Sequence, residues 1–177
     1  MTAAPAVVLA APLHAAPGSE GTAVGVATAE VIAPLKLETL EPLEFGTIAV
    51  APNASGSITV PPSTSPATYS GALSASCSAT AFCRAQPAKF AVTGAPGRHY
   101  RIEHPSEATA QAVRGSAPLL AVTQISVATE SLGGESARGL LGPDGTDGFR
   151  IGGTLQIPGG TPAGTYRATL DVVVSYD

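Results

Sequence analysis

Apolar and polar positions alternate in twos along most of this chain, and the alternation is cleanest at its C-terminal end. In "AGTYRATLDVVVSYD", Tyr166, Ala168, Leu170, Val172, Val174 and Tyr176 fall on one face, with Arg167, Thr169, Asp171, Val173 and Ser175 on the other. A period of two this long predicts a half-buried β-strand. Further strands are predicted at "PLKLE", "LEFGTIAV", "GSITV", "ATYSGALSASC", "AKFAVTG", "HYRIEH", "PLLAVTQISVAT" and "GFRIGGTLQI". Gly- and Pro-rich turns bound them, among them "GAPG" at Gly94 to Gly97 and "PGGTPAG" at Pro158 to Gly164. Short strands between such turns, without a 3.6-residue period, predict an all-β protein built as an antiparallel sandwich.

Two segments fit that pattern less simply. Residues Gly21 to Val50 break at Pro34 and Pro42; before the first break, Ala23, Gly25, Ala27, Ala29 and Val31 line one face, and Val24, Val26, Thr28 and Glu30 the other. Glu30 belongs in water, so the small-residue face is the one expected to be buried. Pro34 lacks an amide donor and holds Ala33 extended, so "IAPL" reads as a crossover between two folding units. The stretch "GGESARGLLGPDGTDG", Gly133 to Gly148, carries no strand pattern and is expected to be a long connector.

Composition narrows the function. Charged residues are 12% of the chain, about half the usual ~25%, with a net charge of −4 and a mean hydropathy of +0.25. The nine Lys and Arg are scattered singly, which argues against nucleic acid, since a phosphate backbone calls for a basic stripe. No apolar run approaches the ~20 residues of a membrane-spanning helix. Tryptophan is absent and aromatic residues are 5%, a poor stock for a small-molecule site.

At the N-terminus, "MTAAPAVVLAAPLHAAPGSEG" holds an apolar core, Ala6 to Leu13, followed by Ala15 and Ala16. It is similar to the later half of a secretory signal without the basic start, and predicts export; the alternative is an Ala/Pro-rich tail. In an exported protein, Cys77 and Cys83 of "SCSATAFCR" are most simply a local disulfide, with free thiols and a half-filled metal site as the alternatives.

Catalytic and metal chemistry find little to stand on. His99 and His104 flank one strand and point to opposite faces, so they cannot share a metal without a bend. There is no G-x-S-x-G elbow and no clustered carboxylate pair, and "GPDGTDG" lacks the spacing and closing Glu of an EF-hand loop. No enzymatic activity and no cofactor are expected.

The order of these features, with "EFGTI" at Glu44 to Ile48, "FAVTGAPGRHYRI" at Phe90 to Ile102 and "GGTLQIPGGTPAGTY" at Gly152 to Tyr166, resembles a family of proteobacterial envelope proteins. That family is grouped with the Mat/Ecp-type common-pilus major subunits, within the wider chaperone-usher pilins. The resemblance covers Ala23 to Asp177 and implies an immunoglobulin-like sandwich lacking its last strand. It divides the chain into a leader (1–20), an N-terminal donor strand (21–33) carrying Ala27, Ala29 and Val31, and a sandwich domain (34–177). Leu170, Val172 and Val174 would line the acceptor groove. The implied partners are other copies of the chain in a surface filament, with a periplasmic chaperone and an outer-membrane usher during export. The alternative is a monomeric secreted or surface-bound adhesive or coat module that fills its own groove.

Overall fold

The computed structural model describes residues 25–76 and 84–177. Cys77 and Cys83 lie outside the described residues, as do the expected leader and the first residues of the expected donor strand. Two units are distinguished, Met1–Val31 and Ile32–Asp177. The described part of the first, residues 25–31, carries no strand, and its side chains are exposed.

The second unit is all-β: among the described residues there is no helix, and every strand pairing is antiparallel. Its strands are β1 (Lys36–Glu41), β2 (Ile48–Val50), β3 (Gly56–Val60), β4 (Thr68–Gly71), β5 (Leu73–Ala75), β6 (Ala88–Thr93), β7 (His99–Glu103), β8 (Ala108–Ala112), β9 (Leu120–Thr129), β10 (Arg138–Leu140), β11 (Thr146–Ile157), β12 (Tyr166–Arg167) and β13 (Val173–Tyr176). The main sheet runs β1-β6-β11-β9-β8-β12, with β3 and β4 continuing from the far half of β11. A smaller sheet, β10-β7-β13, and the pair β2-β5 complete the structure.

β11 organises the main sheet. Thr146 to Ile151 pair with β6, and Gly153 to Ile157 with β3, while β9 pairs along the other edge. The change of partner falls at Gly152, where a Cβ would lie 2.2 Å from the Val60 carbonyl oxygen and 2.6 Å from the Pro62 nitrogen. Only glycine lets the backbone of residues 60–62 cross here.

The core lies between the main sheet and the smaller ones. Ile58, Val60, Phe90, Val92, Tyr100, Ile102, Val122, Val127, Leu141, Phe149 and Ile151 are all buried in one cluster, and the Phe90 and Phe149 rings stack at 4.8 Å. Ring pairs of this kind add about 0.5–1.5 kcal/mol beyond the area they bury.

The pattern of twos slips once inside a strand. In β9, Leu120 and Val122 are buried, and so are Ile125 and Val127, one residue out of phase. The ladder to β11 shifts register between Gly152 and Thr154, and Gln124 takes a left-handed conformation at φ 52°. This β-bulge lets both halves of β9 keep their apolar residues in the core.

Three local expectations change. The C-terminal stretch is not one continuous strand: β12 pairs with β8 of the main sheet, β13 with β7 of the smaller one, and residues 168–172 between them join no ladder. The connector from Gly133 to Gly148 is ordered structure, since it contains β10, a bridge from Glu135 to Ala128 and the start of β11, and it buries Leu141. β8, "ATAQA", gave no expectation from sequence because its side chains are small and only Ala110 is buried.

Candidate functional site

The first and last strands of the second unit, β1 and β13, are each an edge: among the described residues β1 pairs only with β6, and β13 only with β7. The end of β13 is tied to the segments just before β1 and just after β6 by the Tyr176 side chain. The Tyr176 hydroxyl accepts from the Ala95 amide at 2.7 Å and donates to the Ala33 carbonyl at 2.6 Å. The clasp is tight: a Cβ on Gly94 would sit 2.4 Å from the Tyr176 hydroxyl oxygen and 2.9 Å from Leu35 Cδ2. Among the described residues no ladder joins β1 to β13; the Tyr176 phenol links the end of β13 to the chain just before β1 and just after β6, and the two unpaired edges are together called the seam.

Leu170, Val172 and Val174 are half-buried and packed against the core cluster, together with Tyr166 and Tyr176 from the same face of the chain. Thr169, Asp171 and Val173 are exposed on the other face. Leu170 and Val172 therefore cover the core from a stretch whose own N–H and C=O groups pair with no neighbouring strand. Backbone of this kind is a ready template for another strand. Ala27, Ala29 and Val31 lie in the first unit, where all three are exposed, Val31 at 96%.

Polar chemistry gathers elsewhere. The buried Tyr100 hydroxyl donates to Asp147 Oδ2 at 2.8 Å, and Ser131 Oγ donates to the same oxygen at 2.6 Å while accepting from the Leu140 amide. Burial, and then the bond to Asp147, push the Tyr100 phenol far above its ordinary range, so this group is a fixed donor. The Thr146 hydroxyl and amide hold the Asp144 carboxyl below its ordinary value in a tight turn. These groups pin the Gly133–Gly148 segment. His99 is exposed, and the His104 ring hydrogen-bonds to the Pro105 carbonyl oxygen. No three His, Cys, Asp or Glu side chains among the described residues are placed to hold a metal ion. No helix among them is long and apolar enough to cross a membrane.

Two clefts among the described residues are lined by polar side chains. One, about 440 Å³, lies beside the β8–β12 edge between Thr109, Gln111 and Arg167. The other, about 380 Å³, lies over the β9 bulge and is lined by Thr59, Pro61, Pro62, Gln124, Ser126 and Glu135. Sequence reasoning missed both the Tyr176 clasp and this second cleft. The clasp joins residues 143 apart in sequence and had no local signal. The cleft had one: the apolar phase slip between Val122 and Ile125 marks a bulge, and a polar Gln sits on it.

No curated protein and no solved structure matches the chain. One family model does, over residues 35–176, nearly the whole of the second unit, and the chain belongs to that family, described as a domain of unknown function (DUF4402).

Proposed function

We propose that the protein is a structural subunit of a surface filament, an immunoglobulin-like sandwich completed head-to-tail by the N-terminal segment of another copy. The observation that carries this reading is the seam: β1 and β13 present one unpaired edge each, and residues 168–172 hold half-buried apolar side chains over the core without a ladder partner. Strand addition supplies what such an edge lacks, with main-chain bonds for affinity and alternate side chains for specificity. Joined head-to-tail, the contact is heterologous and extends into a fibre. Ala27, Ala29 and Val31 are the donor residues in this reading, and Leu170, Val172 and Val174 the acceptor face.

The position of Ala33 favours a second copy over self-completion. Its carbonyl is bonded beside the end of β13, so a segment of the same chain would have to double back there and run parallel to β13. A segment from another copy is free to pair antiparallel, the slightly more stable arrangement. A periplasmic chaperone that covers the seam before assembly, and an outer-membrane usher, are the partners this route requires.

The test is deletion of Gly21 to Glu30, with the synthetic peptide "GTAVGVATAEV" added back. Under the filament reading, full-length protein forms thin fibres by negative-stain microscopy and the deleted chain stays monomeric. The peptide then raises the melting temperature of the deleted chain progressively with the logarithm of its concentration above Kd. Full-length chains that stay monomeric at high concentration, with or without chaperone, overturn the filament and leave the self-completed module.

A further inference from the structure

The cleft over the β9 bulge has the chemistry of a binding site. At its floor, Thr154 is only 3% exposed; its hydroxyl donates to Gln124 Oε1 at 3.0 Å and lies 2.9 Å from the Thr59 hydroxyl, which therefore donates to it. This chain fixes the Gln124 carboxamide, which lines the cleft, at its oxygen and leaves its Nε2 hydrogens uncommitted to this network. The Ser126 hydroxyl and the Glu135 carboxylate complete the polar lining, and neither makes a side-chain bond to another described residue. The opposite wall is Pro61 and Pro62, whose backbone lies directly against Gly152.

Three properties of this wall select the ligand. The free polar groups comprise a carboxamide donor, a hydroxyl and a carboxylate acceptor, a set that matches vicinal hydroxyl groups, each of which donates and accepts. No Lys or Arg lines the cleft and one carboxylate does, so anions are repelled. The half-buried Pro61 ring offers an apolar surface to C–H groups, and with its fixed φ it loses little freedom on binding. At about 380 Å³ the cleft is at the small end of the ~300–1,000 Å³ range of small-ligand sites. The left-handed Gln124 fits the same account: bulges re-aim side chains, and backbone held in a sparsely populated region is concentrated at functional sites.

We infer that this cleft binds a neutral saccharide, one sugar ring of a glycan, through Gln124, Ser126 and Glu135. The inference is independent of assembly, because β3, β9 and β11 form the cleft and none of them borders the seam.

The test is NMR titration of the full-length protein with a panel of methyl hexosides of differing hydroxyl stereochemistry. The expected result is saturable shifts at the Gln124, Ser126 and Glu135 amides for at least one member, weakened about tenfold by Glu135→Gln through loss of a charge-assisted bond. Gln124→Gly separates binding from folding. Glycine accepts the positive φ, so this variant keeps its fold, read from an otherwise unchanged amide spectrum; its melting temperature drops modestly because the Thr154 hydroxyl loses its acceptor, and the sugar response is lost. Shifts that appear for a methylammonium salt but for no hexoside would overturn the saccharide assignment. So would hexoside binding that survives both substitutions, or the absence of any response across the panel.

Discussion

Replacing Tyr176 with Phe removes one oxygen atom and tests whether the Tyr176 clasp holds the seam closed at one end. The hydroxyl makes two hydrogen bonds, to the Ala95 amide and the Ala33 carbonyl, at 2.7 and 2.6 Å. Each such bond contributes about 1 kcal/mol net. The Ala33 carbonyl is exposed and finds water in the variant, whereas Ala95 is half-buried and its amide loses its acceptor. The expected loss is therefore about 1–2 kcal/mol by urea unfolding. The control is Tyr166→Phe, whose hydroxyl donates to the Pro162 carbonyl four residues away at an exposed site. A bond so local and so wet is expected to be worth about 0.5 kcal/mol or less. Hydrogen exchange adds a positional readout. The Ala95 amide should exchange faster in Tyr176→Phe, while the neighbouring Gly94 and Gly97 amides, bonded to the Gly145 and Leu141 carbonyls, keep their protection. Equal losses for the two tyrosines, with Ala95 exchange unchanged, would refute the clasp.

Gly152→Ala places a Cβ 2.2 Å from the Val60 carbonyl oxygen, an obstacle made of backbone, and should cost at least about 3 kcal/mol, the upper part of the overpacking range. Gly153→Ala next to it meets only ordinary contacts at 3.4–3.5 Å and should be neutral or slightly stabilising; similar melting temperatures for the two variants would refute the crossing of residues 60–62. Alkaline stability tests Tyr100. Its phenol keeps its proton in the fold, while the unfolded chain releases it near the ordinary value of 10.0, so stability is intact below that pH and falls as pH rises above it. The slope from this one group is about 1.4 kcal/mol per pH unit, and Tyr100→Phe should remove it; equal slopes between pH 10 and 11 in the two proteins would refute the assignment.

Sequence made some of this fold legible and hid the rest for physical reasons. β3, β6, β7, β9 and β11 were readable because their apolar residues alternate and are buried on one face. β8 was silent because alanine and threonine leave the alternation without amplitude, and β10 because only three residues long, "RGL", it is held by pairing to β7. The C-terminal face was readable, since Leu170, Val172, Val174 and Tyr176 are the half-buried residues. Its pairing was not: alternation reports which side meets the core, and the same pattern serves a strand that pairs throughout or one that leaves one sheet for another. The small residues at Ala27, Ala29 and Val31 gave a face whose partner the alternation does not name, and in the first unit all three are exposed.

The two sites proposed for this chain are separated by the fold. The seam lies between β1 and β13, at the edges of two different sheets, whereas the cleft sits over the outer face of β9 and β11, in the interior of the main one. A strand added at the seam extends along those edges and leaves the bulge untouched, so a filament built this way repeats the cleft once per subunit. A single sugar ring held by a few hydrogen bonds in an open cleft binds weakly. Many such clefts at fixed spacing turn later binding events into intramolecular ones, with avidity 10²–10⁴ above the single-site affinity where the geometry allows simultaneous contact. The two readings, tested separately, thus carry a joint consequence. A glycan-coated surface should retain filaments far more strongly than the Gly21–Glu30 deletion monomer, and Glu135→Gln should sharply reduce filament retention without shortening the filaments.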